Sequence, residues 1–147
     1  MGRSNKDAQA LLDAFGVLIR HLTRITGGPD EGPALTSTQR LALFELASGG
    51  PLRLNDLALR LGVTAPTASR AVDALVELDL VERLPDPDDR RAVRLDVTRA
   101  GRTQFEERHA RVAVAFEPAV ATLSPAERAQ LQALLARLAA ELTPPCA

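Results

Sequence analysis

Thr64-Ala65-Pro66-Thr67-Ala68-Ser69-Arg70 places three hydroxyls and a guanidinium within seven residues, and a second guanidinium pair, Arg90 and Arg91, follows Asp88 and Asp89. Hydroxyls and arginines are hydrogen-bond donors to phosphate oxygens and base edges, and the planar arginine fork can meet guanine or phosphate with two bonds at once. Bond-making chemistry is not written here. The sequence carries no paired carboxylates, nucleophile elbow or glycine-rich phosphate loop in a supporting context, so no catalytic residue is expected and the chain is not read as an enzyme. His21, His109 and Cys146 are the only imidazole or thiol groups, and their positions match no zinc spacing; no metal and no cofactor are expected.

The groups singled out need elements to hold them. Asn55 to Leu61 reads as a short helix with Leu57, Ala58 and Leu61 on one apolar edge. Gly62 ends it, because glycine accepts the left-handed turn. Thr64 then caps a second helix, expected from Ala65 to about Leu78, with Pro66 in its first turn, where a missing N–H costs little. Ala68, Ala71, Val72 and Leu75 repeat at the spacing of a buried face. At about 100° per residue, Pro66, Ser69, Arg70, Asp73 and Glu77 point away from that face, with Thr67 on its flank. Such a face suits a DNA groove, and equally an ordinary solvated surface.

The next stretch weighs toward the groove. Leu80 to Leu84 reads as a strand, and Ala92 to Val97 as a second, with Val93, Leu95 and Val97 inward and Arg94 and Asp96 outward. Pro85-Asp86-Pro87-Asp88-Asp89-Arg90-Arg91 joins them as a loop held extended by two prolines, with both arginines at its far end. An arginine on such a hairpin can enter a narrow minor groove, and Asp88 or Asp89 could fix its guanidinium. The alternative is a solvated acidic and basic turn.

Helix, turn, helix and hairpin make a winged helix. LNDLALRLGVTAPTASRAVDALVELDLVERLPDPDDRRAVRLDVTRAG resembles the core of the MarR family of regulators, most specifically in DPDDRRAVRLDVTRAG, the wing and its exit. The fold class this implies is mainly α with a small β-wing: a winged helix-turn-helix plus a helical dimerisation domain. The expected organisation is a single domain over 1–147, with residues 36–97 as the DNA-binding region and residues 5–26 and 98–143 as the dimerisation region. Carried over by position, Thr64, Pro66, Thr67, Ser69 and Arg70 face the major groove. Asp89, Arg90 and Arg91 belong to the wing at the minor groove, and Arg91 fits the family's pattern better than Arg90. Thr36, Thr38 and Arg40 at a helix start, with Asn55, are expected at phosphates. Simple capping is the other role open to Thr36.

The remaining chain supplies helices. The stripe Leu11, Leu12, Phe15, Leu18, Ile19, Leu22 and Ile25 marks a helix over 5–26, and residues 27–33 break it. Thr36 and Gln39 form a capping box opening a helix through Leu41, Phe44 and Leu46. Ser48 to Pro51 is a loop, and Leu52-Arg53-Leu54 is a candidate third strand. Thr98 caps a helix striped by Phe105, His109, Val112, Phe116, Val120 and Leu123, which Pro118 must kink or break. Ser124, Pro125 and Glu127 start a last helix striped by Leu131, Leu134, Leu135, Leu138 and Leu142. These outer stripes exceed what a winged helix can cover, so a second copy is the expected partner. The resemblance implies the same homodimer, and its two-fold axis implies a pseudo-palindromic operator.

Composition sets limits. The formal net charge of the 147 residues is −1, and residues 53 to 102 carry nine arginines against nine acids, so any attraction to DNA depends on where the charges lie. Arginine supplies seventeen of the eighteen basic residues, which suits bidentate contacts and also fits a codon bias. No apolar run long enough for a membrane span and no apolar leader is visible, so a cytoplasmic protein with no membrane partner is expected. Cys146 sits in a Pro-rich tail without a cationic setting to activate it and is read as inert.

The resemblance implies a repressor released from double-stranded DNA by a small-molecule effector of unknown identity. His109 is the candidate pocket residue, against a structural histidine in a core or interface. The rival reading keeps the winged helix as a protein-interaction module, in which the wing arginines have no evident task.

Overall fold

The computed structural model describes residues 2–26 and 33–142. Residues 27–32 of the expected break at 27–33 and the tail holding Cys146 lie outside the described residues, as does the side chain of Ile25. The described residues form six helices and three strands in the order α1 Gly2–Thr26, α2 Ser37–Gly49, β1 Leu52–Arg53, α3 Leu54–Leu61, α4 Ala65–Glu77, β2 Val81–Pro85, β3 Val93–Val97, α5 Arg99–Ala121 and α6 Pro125–Glu141. The mainly helical fold with a small wing sheet is as expected, and Leu52-Arg53 does add a third strand. That sheet is antiparallel in the order β1-β3-β2, with Leu52 opposite Leu95 and Arg83 opposite Leu95 on the other side.

Local chemistry fixes the ends of each element. Thr36 and Gln39 form the reciprocal capping box of α2, and Ser124 and Glu127 that of α6. Hydrogen bonds from the Ser124 backbone and side chain hold the Glu127 carboxyl below its ordinary range. Gly62 closes α3 at φ 64°, in the left-handed region that favours glycine. Asp79 takes a similar conformation, φ 59°, between α4 and β2; aspartate tolerates it better than most residues do. The Arg128 guanidinium donates to the carbonyls of Val120 and Leu123 and so satisfies the end of α5 from the start of α6.

The hydrophobic core belongs to the winged helix. Leu46, Leu57, Val72, Leu75 and Val81 are its largest fully buried side chains, and among the described residues every buried apolar residue falls between Leu35 and Val97. Several details refine or correct the expected pattern. Leu41 and Phe44 do not join Leu46 in that core; they are about half exposed, and Ala42 and Leu43 supply the packed face of α2. Val93 is exposed, because β3 reaches past the core there and pairs with Pro85 at the wing. The strand β2 includes Pro85, which an edge strand tolerates at its last position, and β3 starts only at Val93, so the seven-residue connection is shifted by one residue to 86–92. Pro118 does not break α5: it sits within a turn of the end, where only the Val114 carbonyl loses its donor. As the excess of outer apolar stripes implies, those of α1 and α6 are not buried within one chain. Leu11, Leu12, Leu18, Ile19, Leu131, Leu134, Leu135, Leu138 and Leu142 are all exposed.

Candidate nucleic-acid interface

The N-terminus of α4 is built by Thr64, whose hydroxyl accepts from the Thr67 amide at 3.4 Å and lies 2.9 Å from the Thr67 hydroxyl. Two of the candidate groove hydroxyls therefore bond to each other and cap the helix. Pro66 and Arg70 are exposed, and Thr67 and Ser69 half-buried. The Arg70 Nε donates to the Pro66 carbonyl at 3.4 Å, which lays the guanidinium back along the first turn. Ala68, Ala71, Val72 and Leu75 are buried as the spacing requires.

The wing turn is a compact hydrogen-bonded device. The Asp86 amide donates to the Ala92 carbonyl at 3.1 Å, and the Ala92 amide to the Asp89 carbonyl at 2.9 Å. The second bond closes a four-residue turn with Arg90 and Arg91 at its two central positions. Asp89 braces that turn by accepting from the Arg91 amide at 2.9 Å, the self-bonding for which aspartate is favoured in turns. Both arginine side chains are exposed.

Neither wing aspartate binds the guanidinium of Arg90 or Arg91, contrary to the role considered for Asp88 and Asp89. Asp88 instead accepts from Arg94 Nη2 at 3.1 Å. Asp86, which sequence reasoning missed, is the buried acid of the site. Its Oδ2 accepts from Arg53 Nε at 2.7 Å and Arg94 Nε at 3.2 Å, while Oδ1 accepts from the Asp88 amide at 2.9 Å. The hydrogen bond from Arg53, followed by that from the Asp88 amide, holds the Asp86 carboxyl far below the usual carboxylate range against the effect of burial. The same pairing raises the Arg53 guanidinium further above its ordinary value. A signal existed in the sequence: Asp86 is the acid that directly follows the end of the first wing strand.

These pairings separate the arginines by position. Arg53 and Arg94 are taken by Asp86, Arg83 by Asp73, and Arg60 by Glu45 at 3.6 Å. Among the described residues of the winged helix, Arg40, Arg70, Arg90 and Arg91 have no acidic partner. Positive charge is left at the α4 N-terminus and the wing tip, the two projections at which the groove contacts were expected. Arg40 is an exception in placement: its Nη1 donates to the Leu35 carbonyl at 2.7 Å and its side chain lines a cavity. Thr36 is occupied as the α2 cap, Thr38 is half-buried, and Asn55 is exposed in the first turn of α3.

That cavity, about 390 Å³, lies between α1, α2 and α5. Leu41, Phe44, Phe105 and Val112 give it apolar walls, and Arg40, Arg108 and His109 give it donors; no acid lines it. Phe105 meets Phe44 edge to face at 5.9 Å and stacks on His109 at 5.6 Å. His109 is exposed at this wall and not in a core. Among the described residues, no cluster of His, Cys, Asp or Glu could hold a metal ion, and no helix is long and apolar enough to cross a membrane.

A MarR family model matches residues 35–92. The uncharacterized HTH-type transcriptional regulator YhbI of Bacillus subtilis is 33% identical over 73 residues, which are 50% of this chain and 47% of that protein. The chain thus spans about half the length of that curated relative. The crystal structure of RV1404 from Mycobacterium tuberculosis superposes with a TM-score of 0.80 at 30% identity, covering 100% of this chain and 99% of that one. Wild-type MarR from E. coli in its apo form gives 0.69 at 25% identity, covering 89% and 94%. A variant of that E. coli protein, solved complexed with operator DNA, shares the fold at a TM-score of 0.68 and 24% identity, covering 90% and 95%.

Proposed function

The chain belongs to the MarR family, and from that premise we propose that it is a homodimeric, sequence-specific transcriptional repressor, released from a pseudo-palindromic operator by a small effector. The observation that carries the DNA reading is the distribution of unpaired guanidiniums. Internal acids neutralise the scaffold arginines and leave Arg70 and the wing-tip pair Arg90 and Arg91 for DNA. In this reading Thr64, Pro66, Thr67, Ser69 and Arg70 meet the major groove, Arg90 and Arg91 the minor groove, and Thr36, Thr38 and Asn55 lie near phosphates. Asp89 shapes the wing tip. Arg40 is assigned to the cavity wall and no longer to a phosphate.

Two features support the finer parts. The exposed leucine stripes of α1 and α6 are too large to leave in water and suit a second copy, with residues 36–97 as the DNA-binding region and residues 5–26 and 98–143 as the dimerisation region. The cavity joins α1 and α5 to α2 of the winged helix, so a ligand there can bias how the two regions sit. Its apolar walls and cationic rim favour a small organic anion.

The test is binding to duplex DNA from the protein's own upstream region, at several salt concentrations, beside a scrambled duplex. Specific, salt-sensitive binding to an inverted repeat is expected. Equal weak binding to both duplexes would overturn the reading and favour a protein-interaction module.

A further inference from the structure

Arg53 occupies a junction. Its backbone is the N-cap of α3, the first helix of the helix-turn-helix, and its side chain reaches 33 residues along the chain to the wing. The residue that it grips, Asp86, has no exposed side-chain surface, whereas Arg53 itself is 45% exposed. Asp86 in turn orders the wing through the Asp88 amide and Arg94. The wing tip is thereby tied to the start of the helix-turn-helix by one charge-assisted hydrogen bond of 2.7 Å.

We propose that Arg53 and Asp86 are positioning residues that set the distance between α4 and the wing tip, and so set which flanking bases the wing reads. Neither needs to touch DNA. Without the clasp, β3 still holds the base of the hairpin by its pairing with β1 and β2, but the turn at 86–92 loses its anchor to α3. The wing arginines then sample several poses, and their base preference is averaged away while α4 keeps its own.

The proposal rests on the DNA reading above, and the controls separate the two. Binding is measured for the wild type, Arg53→Ala, Asp86→Asn and Arg91→Ala on a set of duplexes that vary either the bases under α4 or the flanking bases under the wing. In Arg53→Ala and Asp86→Asn the flank preference is expected to fall to that of Arg91→Ala, while preference under α4 stays within about twofold of wild type. Combining Arg53→Ala with Arg91→Ala should add no further loss of flank preference. Arg53 is partly exposed, so its truncation keeps the fold testable if Asp86→Asn fails to fold. Arg53→Ala indistinguishable from wild type overturns the proposal. So does parallel loss of preference at both sets of bases, which marks a general structural role. A wild type without any sequence preference instead sinks the DNA reading itself.

Discussion

The carbonyl oxygen of Leu80 lies 2.0 Å from the point where a Cβ on Gly101 would stand. This backbone-to-backbone approach docks the first turn of α5 onto the exit of α4, and the Leu80 carbonyl also accepts from the Thr98 amide at 3.0 Å. No side chain can move aside to make room. Gly101→Ala is therefore expected to destabilise the fold by about 1–3 kcal/mol or more through overpacking, read as a lower denaturant midpoint. A midpoint equal to wild type would mean that α5 docks differently.

Asp86 predicts an acid sensitivity. Its carboxyl titrates far below 3.8 in the folded chain and near 3.8 when unfolded, so its contribution is present above that pH and fades as pH falls through the depressed folded value. The stability gap between wild type and Asp86→Asn should be widest near neutral pH and narrow below about pH 4. A gap constant from pH 7 to pH 3 in denaturation curves would remove the carboxylate from the account.

Arg70 is exposed and free of any acid partner. Arg70→Ala should leave the thermal midpoint within error and cost roughly 1–3 kcal/mol of specific duplex binding if the guanidinium meets a base. Unchanged affinity would place α4 elsewhere on the DNA.

The leucines of α6 test assembly. Leu134 and Leu138 lie one turn apart and both are about 40% exposed. Leu134→Lys with Leu138→Lys should convert a dimer to monomer in light scattering, because two ammonium groups would have to be buried in an apolar contact. A wild-type protein that already runs as a monomer refutes the dimer.

The cavity predicts a preference for charge. Benzoate should bind in calorimetry more tightly than benzyl alcohol, and His109→Ala should weaken benzoate binding without altering binding to duplex DNA. Equal affinity for both probes would show that the donors of Arg40, Arg108 and His109 do not select for charge.

Much of this molecule can be read directly from its residues because short-range rules govern its element ends. Thr36, Thr64, Thr98 and Ser124 each cap the helix that their spacing predicts, and Gly62 makes the predicted turn. What cannot be read is the choice among equivalent long-range partners. Phe44 and Leu41 have the same apolar periodicity whether they face a core or a cavity. The run Asp86, Asp88, Asp89, Arg90, Arg91 allows many pairings, and only the folded sheet brings Arg53 and Arg94 to Asp86. Val93 alternates correctly along its strand, but alternation cannot say where the core ends.

The internal neutralisation of the scaffold arginines has a consequence for search. A regulator in a cell meets vast lengths of irrelevant chromosome, and its residence there grows with every uncompensated cation it presents to phosphate. With Arg53, Arg60, Arg83 and Arg94 already matched to acids, this winged helix offers arbitrary sequence few contacts. It would gain its hold only where both projections fit at once, trading raw stickiness for a larger contrast between the right site and all others.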